Sequence, residues 1–266
     1  MALKFLSLAS GSSGNCYFLG ANDYGILLDA GIHFRTLKKG LKDHRIALEQ
    51  ILGVFITHDH IDHIKSVGSL GEKQNIPIYA TQLVHAGINS NRFIEKKLHT
   101  SCRIIEKEQA VAIRDFTITA FAVPHDASDC VGYSIQYQQQ TCVLATDVGH
   151  IDATVAKYLR MANHLILETN YDKEMLLSGH YPPFLKTRIM NGTGHLCNTE
   201  AAEFLAANYD GRLKNIWLCH LSKDNNRPEL ACQSVEQAFI QRGIRMDDIR
   251  LAALQRTTPS ELFVLD

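Results

Sequence analysis

The stretch Thr57-His58-Asp59-His60-Ile61-Asp62-His63 places three histidines and two carboxylates within six positions, directly after an apolar run. Imidazole and carboxylate are the side chains that bind Zn, Mn or Fe, and the irregular backbone at a strand exit lets several of them converge. The alternative is a polar turn with solvated histidines, but even 13 histidines in 266 residues rarely produce this spacing by chance. The stretch therefore predicts a metal site at the end of a buried strand.

The composition is that of an ordinary globular protein, with 45% hydrophobic and 21% charged residues. These fractions exclude disordered, collagenous and disulfide-scaffold classes. The net charge of -1 provides no global field that would attract nucleic acid, so a nucleic-acid partner would require a local basic patch. Nothing in the sequence identifies a protein partner.

The seven cysteines include no Cys-x-x-Cys pair, which indicates free thiols in a reducing compartment. The apolar start of the chain is too short for a signal peptide and predicts a first strand instead. No apolar run approaches the roughly 18 residues of a membrane span. We therefore expect a cytoplasmic protein with no membrane partner.

Hydrophobic patterning predicts one α/β domain over residues 1–266, with two sheets inside and helices outside. One predicted helix begins near Asp62. Four others cover 34–42, 152–160, 199–208 and 228–241, with Asn198 or Thr199 capping the third of these ranges. The predicted strands lie at 3–9, 16–19, 26–29, 52–57, near 78, and at 117–123, 131–136, 142–146, 164–168, 216–219, 251–254 and 262–265.

The pattern His58-x-His60-x-Asp62-His63 after a hydrophobic strand resembles the signature of the metallo-β-lactamase fold. The earlier stretch Ile26-Leu-Leu-Asp29-Ala-Gly31 resembles the first motif of that superfamily, whose aspartate supports the metal site. The resemblance implies a four-layer αββα sandwich with two metal ions at one edge of its two sheets.

Three later stretches resemble the remaining motifs: Val123-Pro-His125, Leu144-Ala-Thr146-Asp147 and Trp217-Leu-Cys-His220. On residues alone, the alternatives are a loop histidine for His125, a helix cap for Asp147 and a core histidine for His220. The resemblance implies the following ligands: His58, His60 and His125 for the first ion, Asp62, His63 and His220 for the second, and Asp147 bridging both.

Two divalent ions about 3.5–4 Å apart lower the pKa of a bridging water to near 7 and stabilise charge on substrate oxygens. The implied chemistry is hydrolysis with hydroxide as the nucleophile, in which the bridging Asp147 and the ligand Asp62 also serve catalysis. Asp29 and Asp59 are candidates for orienting the ligands, although Asp59 could also be a solvated turn carboxylate. The choice among Zn, Mn and Fe stays open.

Four blocks together resemble the YycJ/WalJ group of bacterial metallohydrolases, whose relatives include tRNase Z and other phosphodiesterases. They are Ser10-Gly-Ser-Ser-Gly-Asn15, Asp62-His-Ile-Lys65, Glu168-Thr-Asn-Tyr-Asp172 and Gly194-His195-Leu-Cys197-Asn198. This resemblance implies a 5′-to-3′ exonuclease acting on DNA. It also implies that His195 donates a proton to the leaving oxygen; the alternative is that His195 only packs at a helix start.

Two other functions stay open at this point. One is hydrolysis of a small ester, thioester, lactone or cyclic phosphate, and the other is a non-catalytic scaffold that binds nucleic acid. Ser12, Ser13 and Asn15 in the Gly/Ser turn, together with Arg188, are candidate phosphate contacts. The basic residues form three clusters: Lys38, Lys39, Lys42 and Arg45; Arg92, Lys96 and Lys97; and Lys186 and Arg188.

Overall fold

The computed structural model describes residues 2–265, whose strands form two seven-stranded mixed sheets. These residues divide into two compact units. The first unit contains the residues up to Gln109, Ala127–Cys130 and the chain from Gln255 onward. The second unit contains Ala110–Asp126 and Val131–Leu254. The α/β class is confirmed, and the expectation of one domain over 1–266 stays a prediction.

The sheet of the first unit has the order β14-β1-β2-β3-β4-β5-β6. Its strands are β1 (Leu3–Ala9), β2 (Cys16–Ala21), β3 (Tyr24–Leu28), β4 (Ile51–Phe55), β5 (Ile78–Ala80), β6 (Cys102–Ile104) and β14 (Phe263–Leu265). Its helices are α1 (Phe34–Asp43), α2 (Ile61–Ile64), α3 (Val67–Gln74) and α4 (Gln82–Ser90). Strands β2 and β3 are buried along their whole length and form a hairpin, whereas β3 to β6 run parallel.

The sheet of the second unit has the order β13-β12-β11-β10-β9-β8-β7. Its strands are β7 (Ala110–Ile113), β8 (Phe116–Ala122), β9 (Val131–Tyr137), β10 (Gln140–Ala145), β11 (His164–Glu168), β12 (Asn215–Cys219) and β13 (Arg250–Ala253). Its helices are α5 (Ala153–Leu159), α6 (Lys173–Ser178), α7 (Pro183–Met190), α8 (Asn198–Asn208) and α9 (Pro228–Gln241). Strands β10 to β13 run parallel and β11 and β12 are fully buried, which explains their continuous apolar sequences.

The parallel strands determine where the polar side chains gather, because the carboxyl ends of parallel neighbours meet at one sheet edge. In the first unit, Leu28 of β3 lies opposite Phe55 of β4, and Asp29 and the histidine stretch follow directly. In the second unit, β11 ends at Glu168, which lies opposite Cys219 of β12. Each sheet therefore presents a set of polar residues at one edge.

The expected cap of the helix near Thr199 is wrong. Helix α8 begins at Asn198, so Cys197 occupies the N-cap position and no side chain caps the helix. The Asn198 amide instead donates to Oδ1 of Asn226 at 2.9 Å, because both side chains are buried and satisfy each other. None of the helices in residues 2–265 has the length and hydropathy of a membrane span.

Candidate metal centre

The histidine stretch of the first unit folds into a compact group of nitrogen and oxygen donors. We call Asp29, His58, His60, Asp62 and His63 the first cluster. Nε2 of His58 lies 3.0 Å from Nδ1 of His60, and Nε2 of His63 lies 3.5 Å from Oδ2 of Asp62. Asp62 and His63 lie on the single-turn helix α2, which follows the end of strand β4 along the chain.

Asp29 fixes the orientation of His63. Its Oδ2 lies 2.7 Å from Nδ1 of His63, so Nδ1–H donates to the carboxylate and Nε2 is the ring nitrogen with the lone pair that a metal ligand requires. The Thr57 backbone N–H and hydroxyl also donate to this carboxylate. Burial raises the pKa of Asp29, and the charge of His63 offsets part of that rise.

Asn15 ties the Gly/Ser turn to the first cluster. Its Oδ1 accepts from the Gly11 N–H at 2.9 Å, and its amide nitrogen lies 3.0 Å from Nε2 of His63. The Asn15 backbone N–H donates to the carbonyl of Asp62 at 2.8 Å. Ser12 and Ser13 are exposed on the same turn, whereas the donors of Asn15 are directed at protein groups.

The second unit collects acidic and imidazole side chains that lie far apart in sequence. We call His125, Asp147, Glu168, His195 and His220 the second cluster. Donor atoms of the last four all lie within 4.8 Å of one another. Oδ1 of Asp147 lies 3.7 Å from Nε2 of His125 and 3.6 Å from Nε2 of His220. These donors are the oxygens and nitrogens that divalent transition metals prefer.

Glu168 is the residue of this cluster for which the sequence suggested no role. Its buried Oε1 lies 2.8 Å from Nδ1 of His195 and 3.1 Å from Nδ1 of His220. Its Oε2 accepts from the backbone N–H groups of Val148 and Leu196 at 2.7 and 3.0 Å. One carboxylate thereby positions two histidines and two loops. A charged residue ending the otherwise apolar strand His-Leu-Ile-Leu-Glu was the signal that could have revealed it.

His195 is the member of the second cluster that reaches solvent. Its side chain is 23% exposed, compared with 3% for Asp147 and His220. Burial alone would lower the pKa of His195, but the charge of Glu168, its hydrogen bond and the charge of Asp147 raise the pKa above its ordinary value. His195 is therefore a partly accessible imidazole that holds its proton more strongly than an ordinary histidine.

The remaining candidates contact residues outside the two clusters. The Asp59 carboxylate accepts from the Ser128 hydroxyl at 2.6 Å and from the Ser128 N–H at 3.2 Å. The Arg188 guanidinium donates to Asp126 at 2.7 Å, which neutralises part of its charge. Asp59 thus holds the loop around Ser128, and Arg188 is exposed beside a carboxylate.

Left-handed backbone conformations occur at three of the cluster residues. Asp29, Asp147 and His220 have φ angles of 58°, 54° and 53°, and each follows the end of a strand. Such conformations cost free energy for residues other than glycine and collect at functional sites. The backbone is therefore bent sharply where each of these side chains turns toward its cluster.

Comparison with known proteins identifies the family. The family model described as "Beta-lactamase superfamily domain" matches residues 24–215. The chain belongs to this superfamily. Among superfamily members, "Exodeoxyribonuclease YycJ" of Bacillus anthracis is 34% identical over 91% of this chain and 91% of its own length. "Exodeoxyribonuclease WalJ" of Streptococcus pneumoniae is 34% identical over 87% of this chain and 86% of its own.

A solved structure shows the same fold. The metallo-β-lactamase fold protein YhfI from Bacillus subtilis superposes with a TM-score of 0.72 at 19% identity, covering 98% of this chain and 99% of YhfI. The predicted metallo-β-lactamase fold and the resemblance to the YycJ/WalJ group are confirmed. The protein is a hydrolase of this fold, and its histidine and carboxylate clusters fit divalent metal ions.

Proposed function

We propose that this protein is a metal-dependent phosphodiesterase that degrades DNA from the 5′ end. The observation that carries the proposal is the 34% identity, over most of both chains, with two relatives named as exodeoxyribonucleases. The two clusters support it because they contain the donor types that such chemistry needs. The cytoplasm is the compartment that we propose for it, in accord with its free cysteines.

The proposed ligand set binds two divalent ions, Zn, Mn or Fe. Bound ions would supply a hydroxide nucleophile and positive charge for the phosphate oxygens. Asp29 and Glu168 would hold the imidazoles of His63 and His195 in place through the contacts described above. The proposed ligands are His58, His60 and His125 for one ion, Asp62, His63 and His220 for the other, and Asp147 for both.

His195 is the proposed proton donor to the leaving oxygen. Three features support this role: partial exposure, a hydrogen bond to Glu168, and a raised pKa that favours the protonated ring. The backbone N–H groups of Ser12 and Ser13 and the side chain of Arg188 stay proposals for phosphate contacts. The contacts of Asn15 favour a positioning role, and those of Asp59 favour a role in holding the Ser128 loop.

The proposal is tested by supplying end-labelled duplex and single-stranded DNA, and separately a generic phosphodiester, to protein reconstituted with Mn or Zn. His58→Ala serves as the control without a complete ligand set. We expect progressive loss of nucleotides from the 5′ end, abolished in the variant. Cleavage of the generic diester with DNA intact would move the substrate to small esters or cyclic phosphates. Metal binding without any cleavage would favour the non-catalytic scaffold and overturn the proposal.

A further inference from the structure

The first unit contains a pocket of about 270 Å³ whose lining is strongly cationic. Lys65, Lys73 and Lys96 line it, and Glu95 is the single carboxylate among its lining residues. Within residues 2–265, no ion pair is found for these three lysines, so their charges are available to a ligand. The pocket therefore favours an anion. We call it the lysine pocket.

An exposed aromatic ring lies at the same pocket. Phe93 is 63% exposed, although burying a phenylalanine would normally be favourable. The guanidinium of Arg92 lies 4.9 Å from the centre of its ring. An exposed ring at the lining of a pocket that also contains lysines matches the way proteins bind single-stranded nucleic acid, by stacking a base on an aromatic face and attracting the phosphates.

The chain connects the lysine pocket directly to the first cluster. Lys65 and Ser66 line the pocket and immediately follow helix α2, which carries Asp62 and His63. Lys65 also donates to the carbonyl of Ser13 at 3.1 Å, in the Gly/Ser turn that Asn15 joins to His63. A ligand held by Lys65 is therefore bound by the same local framework that holds the proposed metal ligands.

We propose that the lysine pocket binds a segment of single-stranded DNA, with lysines contacting phosphates and one base stacking on Phe93. This inference rests on the proposed function and specifies where the strand is held. Single-stranded rather than duplex DNA is favoured because a base that is already paired and stacked cannot lie on an aromatic ring. Sequence preference is not expected, since every base has a flat face to stack.

The test uses fluorescence anisotropy to measure binding of a labelled oligodeoxythymidylate of about 10 nucleotides. Its phosphorothioate linkages resist cleavage, so binding is measured without degradation. The variants are the pair Lys73→Gln/Lys96→Gln, Phe93→Ala and Phe93→Tyr. The matched control is the pair Lys39→Gln/Lys42→Gln, which removes the same charge from exposed positions on α1 outside the pocket.

We expect the Lys73/Lys96 pair to weaken binding about tenfold and to reduce the salt slope by about 1.4, the value for two phosphate contacts on a single strand. Phe93→Ala should weaken binding about tenfold. Phe93→Tyr should bind as tightly as the parent protein, because tyrosine keeps the aromatic ring. The control pair should stay within about twofold of the parent protein.

Three results would overturn the inference: no binding by the parent protein, unchanged binding by the pocket variants, or an equal loss in the control pair. An equal effect of Phe93→Ala on a blunt duplex would also overturn it, because stacking would then not explain the loss. Nuclease activity measured in parallel tests the proposed function separately. A parent protein that binds the oligonucleotide through this pocket but cuts no DNA contradicts the exonuclease and not the pocket.

Discussion

At the scale of single residues, the orientation of imidazole rings decides what the second cluster can do. Oε1 of Glu168 accepts hydrogen bonds from Nδ1–H of His195 and of His220, so the Nε2 atoms are the ring nitrogens available for a metal ion or a substrate. Its other oxygen binds two backbone N–H groups, so the carboxylate cannot rotate away. Glu168 thus both aligns His195 and, through its charge, raises the pKa of that imidazole.

Replacing that charge should change the pH dependence of the reaction. In Glu168→Gln, the pKa of His195 falls because its negative partner is lost. A proton donor must be protonated, so the alkaline limb of the turnover profile should move to lower pH. The measurement is DNA degradation across pH at saturating metal, with Glu236→Gln, an exposed glutamate on α9, as the control. An unmoved alkaline limb would contradict the role assigned to Glu168.

Replacing His195 should lower turnover and leave the metal content of the protein unchanged. His195→Ala is expected to lower kcat by about 10²–10⁴, the usual contribution of general acid catalysis. Metal content measured by atomic emission should equal that of the parent protein, because the proposed ligand set omits this residue. Loss of a bound ion in the variant would show instead that His195 is a ligand, as its distance of 3.7 Å from Asp147 also permits.

At the scale of elements, Glu72 attaches helix α3 to the loop that precedes β6. Its Oε1 accepts from the N–H groups of His99 and Ser101 and, at 2.6 Å, from the Ser101 hydroxyl. The hydrogen bond from Ser101 and the others lower the pKa of Glu72 from 4.5 to about 2. The carboxylate is therefore stabilised when it is ionised in the folded protein.

This shift gives a prediction for stability. Since the folded pKa is lowered, the stabilisation is present above pH 4.5 and is lost as the pH falls toward 2. Glu72→Gln should cost about 1 kcal/mol at pH 7, reduced from the full linkage value because the group is near solvent. Urea unfolding at pH 7 and pH 3 measures this, with exposed Glu106→Gln as the control. An equal penalty at both pH values would show that the loss is not electrostatic.

Element prediction succeeded where the sequence has a clear apolar pattern. The bounds of β1, β11 and α9 agree with their predicted ranges. Apolar runs define the two strands, and a proline at the N-terminus followed by a regular apolar stripe defines the helix. The short strands β6 and β7 were not predicted. They lie at the ends of their sheets, are largely exposed and are only three and four residues long, so neither gives the long buried apolar run that marks the other strands. Helices α6 and α7 were missed as well, since each buries only one side chain.

The first cluster was easier to predict from the sequence than the second. His58 to His63 lie within six positions, so the sequence itself displays their proximity. The contacts of Glu168 join residues 27 and 52 positions away; the parallel pairing of β11 and β12 brings His220 to it, and the loop before α8 brings His195. Long-range contacts of this kind leave no local spacing to detect. The sequence could indicate the donors and, in Asp29, one group that orients them, but the orienting role of Glu168 required the structure.

At the scale of the whole molecule, the near-zero net charge limits how DNA can be attracted. With 27 basic and 28 acidic residues, long-range attraction is weak, and any affinity must come from a local surface such as the lysine pocket. At least three carboxylates, those of Asp29, Asp147 and Glu168, are buried within the two clusters. Buried negative charge costs free energy unless a positive charge compensates it.

Metal binding should therefore stabilise the whole protein. Protein stripped of metal by a chelator should melt at a lower temperature than the same protein supplied with Mn or Zn, because an ion that binds only the folded state stabilises it. At about 100 times the Kd the gain is about 2.7 kcal/mol, equivalent to a rise in Tm of about 5–10 °C. His58→Ala should show a smaller rise, and His195→Ala the full one. A Tm that does not respond to either metal in the parent protein would contradict metal binding by the two clusters, whatever the substrate proves to be.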